Sequence, residues 1–481
     1  MISAQTNLNI ESIGAVSDGK TSNTHLIQAA IDSVYLAGGG KVIIPKGTFK
    51  SGSIILKSGV ELELKRGATL LGSDDPKDYK FLNRWTALVM ADQAENIKIS
   101  GKGSIDGQGE KLALHLDSLF YIGEIDSADY IFPEMRPSVT IRPQIIEFVD
   151  CKNIVVEGIK ILNAASWVQS YYMCENLIID KIHVDSDTYW NNDGIDVIDC
   201  KRVSITNSYF NASDDGICIK SYGRKKHGRP FCESIYIANC KVRSSASAVK
   251  FGTASFGGFK DIVIEKIKVF DTFRSAIALE SYGNGFLENV KIDRITAKNT
   301  GNALFIRIGQ RSTRLNPGRL KNVRITNLKA SIPFSAADLD YEIRGPALPF
   351  FHNTFPASIT GLPNQKVQEI TLENIEISYP GRGNKAFAYA PLSRLKEVPE
   401  NPEDYPEFSM FGELPAWGFY VRHVEGLNMK NIKLKIRKPD YRPAFVFDDV
   451  EQLKLKDIKI RGDKKAEKVI YHNTTPIKIE P

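Results

Sequence analysis

The chain has 481 residues, of which 42% are hydrophobic and 25% charged, and its formal net charge is +6. That balance is ordinary for a globular protein, no apolar run is long enough for a membrane-spanning helix, and so diffuse a positive charge argues against a nucleic-acid partner. Length alone would suggest two or three domains, but a repeat architecture escapes that rule and is sought first.

The opening decapeptide MISAQTNLNI has no basic region followed by an apolar stretch. This leaves two readings open, an intracellular protein or a start near a mature end after a removed signal. Next comes TSNTHLIQAAIDSVYLAGGG, in which Leu26, Ile27, Ala30, Ile31 and Val34 follow helical spacing. Asn23 or Ser22 can cap its start and Gly38 can end it. A short helix within an amino-terminal cap of about residues 1–50 would cover the open end of a sheet and block edge pairing.

From Cys151 onward the chain repeats itself. CKNIVVEGIKIL at Cys151 is echoed by CENLIIDKIHV at Cys174, CKRVSITNSYF at Cys200 and CESIYIANCKV at Cys232. KDIVIEKIKVF at Lys260, ENVKIDRITA at Glu288 and KNVRITNLKA at Lys321 follow, with later echoes at Gln368, Glu425 and Glu451. The first seven starts are separated by 23, 26, 32, 28, 28 and 33 residues. Alternation over so few residues means short strands with one buried face, and stacking successive coils gives them one continuous core. The reading is an all-β protein: a parallel β-helix of roughly ten coils, forming one domain over 1–481.

Asn207, Asn239, Asn327, Asn374 and Asn431 sit between strand halves, where asparagine suits a bend and can bond from coil to coil. Of the six cysteines none forms a C-x-x-C pair. The expectation is buried, reduced thiols, the first four repeat starts stacking as a ladder. Two stretches break the rhythm, about 107–143 and about 331–419, and both are expected to be functional loop inserts.

The chemistry is concentrated in WNNDGIDV, from Trp190, and SDDG, from Ser213. Asp193 and Asp214 are 21 residues apart, close to one coil, so they are expected on one surface stripe of adjacent strands about 4.8 Å apart, with Asp215 beside them. Turn chemistry explains either Asp-Gly pair alone, but not three carboxylates at one coil position. Crowded like charges raise at least one pKa, and glycosidic cleavage needs one protonated and one ionised carboxylate. A calcium site is the other use of such a cluster.

With these residues in view, the chain resembles glycoside hydrolase family 28, the polygalacturonase family of right-handed parallel β-helices. GAVSDGKTSNTHLIQAAIDSVYLAGGGKVIIPKGTFKSGSIILKSGVELELKRGATL is similar to the family's amino-terminal segment. WNNDGIDV matches its N-T-D motif, SDDG its D-D motif, and FGELPAWGFYVRHVEG resembles a carboxy-terminal feature of bacterial members. The resemblance implies a single-stranded right-handed parallel β-helix, a solenoid of pectin-lyase-like type, and an inverting hydrolase with no metal and no other cofactor. Asp214 would be the general acid, Asp193 and Asp215 would activate water, and Asn191 would orient the aspartates. It also implies a secreted or periplasmic protein.

Two family motifs are not matched. Ser247, in SASAVKFGT, stands where G-H-G places a histidine, and Ala278 and Glu280, in AIALES, stand where R-I-K places cations. Substitute cations are sought in Lys250, Arg307 and Arg311, and in the loop YGRKKHGRPF, where Arg224 and His227 stand among five basic or potentially basic residues able to guide an anionic polysaccharide. Tyr282 is a candidate for stacking on a sugar, as is Tyr222. The expected function is an inverting, exo-acting hydrolase of a pectin-type acidic polysaccharide or oligosaccharide, galacturonan or rhamnogalacturonan, working as a monomer. The alternatives are the same chemistry on another uronide or a sulfated glycan, a calcium-dependent polysaccharide lyase, and a non-catalytic glycan-binding solenoid.

Overall fold

The computed structural model describes residues 6–312, 314–337, 352–385 and 392–480. Two compact units are distinguished, one within residues 1–217 and the other within 218–480. Both are built from parallel coils, and the fold is the all-β right-handed parallel β-helix that the repeats predict.

In the first unit the expected cap helix spans Thr24–Leu36, with Ile27, Ala30, Ile31 and Val34 buried. Gly38 and Gly39 end it with φ of +92° and +106°. Asn23 holds the N-cap position but does not cap with its side chain. Instead its Oδ1 accepts from the Val16 N–H at 2.7 Å and its Nδ2 donates to Val16 O and Thr21 O, pinning the preceding loop. Gln28 performs the edge-blocking: it donates to Ile55 O at 3.1 Å and accepts from the Ile55 N–H at 2.8 Å, as a neighbouring strand would.

Three parallel sheets follow. Lys152–Glu157, Glu175–Asp180 and Lys201–Thr206 form one, with Lys152 opposite Glu175 and Glu175 opposite Lys201. Lys160–Leu162, His183–Ser186 and Tyr209–Ala212 form the second. Gln144–Val149, Gln169–Tyr172 and Ile195–Ile198 form the third. Asn153, Asn176 and Arg202 hold φ of 56°, 58° and 55°, so each coil bends at the same point. Asn176 donates to Asn153 at 2.8 Å and Asn153 to Asn96 at 3.0 Å, the coil-to-coil ladder expected of stacked asparagines. All six cysteines are buried thiols outside any disulfide, and the Cys174 N–H donates to Cys200 Sγ at 3.3 Å. Burial holds the Cys174 thiol well above its ordinary pKa, which suits a packing role.

In the second unit Phe259–Ser281, Phe286–Ile308, Arg319–Ser331, Val367–Tyr379, Phe419–Ile436 and Phe445–Arg461 pair in succession. Asn431 donates to Asn374 at 2.7 Å and Asn374 to Asn327 at 3.0 Å, continuing the device. The stretch 331–419 is therefore not one insert: the coil strands Ala357–Thr360 and Val367–Tyr379 run through it, as the alternation at Gln368 requires. The expectation over 338–351 and 386–391 lies outside the described residues.

Residues 107–143 are more ordered than a loop. They hold a helix, Gly109–Tyr121, that buries Leu112, Ala113 and Leu116, and an antiparallel pair, Tyr130–Ile131 with Arg136–Pro137. Phe120 stacks on Tyr130 with ring centroids 3.9 Å apart, tying helix to hairpin.

Candidate active site

All three aspartates belong to the first unit, on turns rather than on strands. Val168 N–H donates to Asp193 O at 2.9 Å and Gly194 N–H to Asp215 O at 2.8 Å. In parallel pairing those bonds set Trp167 opposite Asp193 and Asp193 opposite Asp215. The stripe expected for Asp193 and Asp214 is thus one residue out: Asp193 stands over Asp215, and Asn192 over Asp214. The reason lies at the glycine. A Cβ on Gly194 would lie 2.5 Å from Gly216 O, so the two Asp-Gly pairs meet glycine against glycine, and the residue before each is brought face to face. Asp193 and Asp215 are both 3% exposed and present oxygens within 4.8 Å of one another.

The turn carrying Asp193 is held by Asn192, which is fully buried. Its Oδ1 accepts from Ser186 Oγ at 2.9 Å and its Nδ2 donates to Ser166 O at 2.9 Å. Asp214 is half-buried. Its Oδ1 accepts from the Asp215 N–H at 3.0 Å, and Asn191 Nδ2 approaches its Oδ2 at 3.4 Å. Asn191 has φ of +60°, a left-handed conformation that asparagine tolerates.

Two arginines that sequence reasoning passed over stand behind Asn191. Arg142 Nη2 donates to Asn191 Oδ1 at 2.7 Å and Arg136 Nη1 to the same oxygen at 2.8 Å. Arg142 is fully buried, spends Nη1 on Ala165 O and Trp190 O, and lies over the Tyr189 ring at 5.2 Å. Burial draws its pKa down to about 10, so it remains a cation at neutral pH. Arg136 lies over the Trp190 ring at 4.7 Å and pairs with Glu134. Both come from the first insert, where RPSVTIRP carries an Arg-Pro pair at each end but no periodicity to announce a site.

The remaining candidates belong to the second unit. Lys250 is 2% exposed and its Nζ donates to Tyr405 Oη at 2.7 Å. Arg307 is 1% exposed, donating to Gly361 O at 2.9 Å and to Glu400 O. Tyr282 is wholly buried with its hydroxyl against Met410 Sδ, which corrects its reading as a sugar-stacking ring. Each is engaged by the region after residue 360, folded back over the outer face of its own unit. Ala278, in the second unmatched motif, lies in that interface with Phe305, Phe355, Phe408, Phe411 and Tyr420. Here the place of a family cation is filled by apolar packing. Arg224, His227 and Arg311 are exposed, Arg224 5.8 Å over the Tyr222 ring.

Among the described residues no helix is long and apolar enough to cross a membrane. The Exo-poly-alpha-D-galacturonosidase of Dickeya chrysanthemi is 26% identical over 298 residues, 54% of this chain, which spans about half (49%) of that relative's length. The structure of a hyperthermoactive exopolygalacturonase from Thermotoga maritima is 26% identical with a TM-score of 0.62, covering 78% of this chain and 87% of that one. The family 28 exopolygalacturonase of Yersinia enterocolitica shares the fold at 18% identity, with a TM-score of 0.63 over 99% of this chain and 78% of that one. Residues 38–245 match the family model described as "Glycosyl hydrolases family 28", and all three aspartates fall inside that match. Over those residues the chain is similar to glycosyl hydrolases family 28.

Proposed function

We propose that this chain is an inverting glycoside hydrolase that removes sugars from the end of a pectin-type acidic polysaccharide. The observation that carries the reading is the division of labour among the carboxylates. Asp193 and Asp215 face each other across neighbouring coils with oxygens within 4.8 Å, close enough to share one water. Asp214, less buried than that pair, takes its contact from Asn191.

In this reading Asp214 gives its proton to the glycosidic oxygen as the bond from that oxygen to the anomeric carbon breaks. The water held by Asp193 and Asp215 loses a proton to the pair and attacks the anomeric carbon from the opposite face, so the configuration inverts. Exo action is supported by the covered outer face of the second unit and by the names of the relatives. A secreted or periplasmic location goes with the same reading.

The test is reducing-end release from oligogalacturonides and rhamnogalacturonan oligosaccharides in EDTA. Release of single sugars, abolished in Asp214→Asn, is expected. An unsaturated product absorbing ultraviolet light, or release undiminished by the substitution, would overturn the reading.

A further inference from the structure

Arg142 is fully buried, yet none of its hydrogen-bond acceptors carries a charge. They are Ala165 O at 2.6 Å, Asn191 Oδ1 at 2.7 Å, Trp190 O at 2.8 Å and Ser138 O at 3.4 Å. Taking a guanidinium out of water is costly, and an apolar side chain of like volume often serves a core as well. Stability alone therefore does not account for this cation. What it grips is the turn of residues 189–191: its guanidinium lies 5.2 Å over the Tyr189 ring and bonds the Trp190 carbonyl and the Asn191 side chain. Arg136 grips the same turn, lying 4.7 Å over the Trp190 ring while its Nη1 donates to Asn191 Oδ1 at 2.8 Å. Arg136 is itself placed by the pairing of Tyr130–Ile131 with Arg136–Pro137 and by its ion pair with Glu134.

We propose that Arg136 and Arg142 are positioning residues: together they lock the Asn191 side chain with its N–H groups towards Asp214. The lock follows from what each group can do. A guanidinium only donates, so both arginines require the oxygen of the amide. Turning the amide over would set its NH2 group against two donors, losing two charge-assisted bonds at once. With Oδ1 held, Nδ2 is left to approach Asp214 Oδ2 at 3.4 Å. An inverted amide would offer Asp214 an acceptor in place of a donor. A protonated Asp214 would then give its hydrogen bond to that acceptor rather than to the glycosidic oxygen. The lock thus acts on the proton step and not on affinity for the sugar, and neither arginine has to touch substrate. This inference rests on the reading of Asp214 as the general acid.

Arg142 also holds backbone carbonyls, so the test is made on Arg136. Arg136→Met is expected to lower kcat on an oligogalacturonide by about 10-fold with KM changed by less than about 2-fold. Arg136→Lys keeps one cationic donor and is expected to restore most of the loss. In an Asn191→Ala background Arg136→Met is expected to cost nothing further, to within about 2-fold. A merely structural arginine would cost the same in either background, and that result, or a rise in KM alone, overturns the proposal. A second readout requires no turnover. In protein labelled with 15N-asparagine, the Asn191 side-chain signal is identified by its loss in Asn191→Ala. It is expected to move in Asp214→Ala and in Arg136→Met. A signal that ignores either substitution overturns the lock whatever the kinetics show. A signal that follows both, in a parent that hydrolyses no galacturonate-containing oligosaccharide, upholds the lock and overturns the proposed function.

Discussion

Arg142 Nη2 donates to Asn191 Oδ1 at 2.7 Å, and this bond decides which way the Asn191 amide faces. With its oxygen claimed by Arg142 and Arg136, the amide can turn only its N–H groups towards Asp214. A residue on a left-handed turn is thereby locked from behind by an insert 49 residues upstream.

Asn191→Ala removes that contact while leaving the guanidinium of Arg142 bonded to two carbonyls. Loss of one oriented donor at a reacting group is expected to lower kcat by about 10- to 100-fold with KM nearly unchanged. Steady-state kinetics on one oligosaccharide checks this; a rise in KM alone would make Asn191 a ground-state binder instead.

Gly194→Ala would place a Cβ 2.5 Å from Gly216 O and 3.0 Å from the Phe210 ring. Backbone cannot yield as a flexible side chain can, so a loss of about 2–4 kcal/mol is expected, with activity falling as the Asp193–Asp215 facing is lost. Denaturant unfolding measures the first effect. An unchanged midpoint would show that glycine is not what allows the coils to approach.

Glu147 carries a pH signature. Burial pushes its pKa up to about 7, against the attraction of Arg84. The folded state therefore holds this proton more tightly than the unfolded chain does. Its contribution to stability is fully present below the ordinary carboxylate pKa and is lost as pH rises through about 7, by up to about 3 kcal/mol. Glu147→Gln is expected to flatten that loss, so the gap in melting temperature between variant and parent should widen in the variant's favour from pH 5 to pH 8, a window taken from roughly those two pKa values. A constant gap would contradict the assignment.

Phe411 packs in the cluster that covers Ala278 and Phe305, and the Arg307 guanidinium lies 5.0 Å over its ring. Phe411→Ala is expected to cost about 3–5 kcal/mol in the second unit and to loosen the covering segment. If that segment enforces attack from a chain end, the products of long substrates should shift from single sugars to mixed lengths, which product sizing by chromatography reads directly.

The coils were legible because a buried face needs alternation of period two, and the bends because asparagine tolerates positive φ where other residues resist it. The cluster of aspartates proposed as the catalytic groups was legible through its doubled Asp-Gly. Its register was not: Asp193 meets Asp215 because the coil advances 22 positions from Gly194 to Gly216, and alternation within strands says nothing of the length of the turns between them. The helix Gly109–Tyr121 was passed over although Leu112, Ala113 and Leu116 are helically spaced, since prolines and aromatics elsewhere in 107–143 suggested a loop. Arg136 and Arg142 reach Asn191 through that helix and hairpin, a route that no local pattern encodes. Lys250 and Arg307 lie on coil strands and Tyr282 just past the end of one, but the partners that cover them, Tyr405, Glu400 and Met410, are about 90–155 residues further on.

The most direct test of the central claim is proton NMR of the anomeric signal of the first-formed product, followed from mixing until mutarotation. An inverting enzyme acting on α-linked galacturonate must first release the β anomer, and the Asp214→Asn protein must release none. First appearance of the α anomer would mean retention through a covalent intermediate, and would contradict the assignment of Asp193 and Asp215 to a shared water.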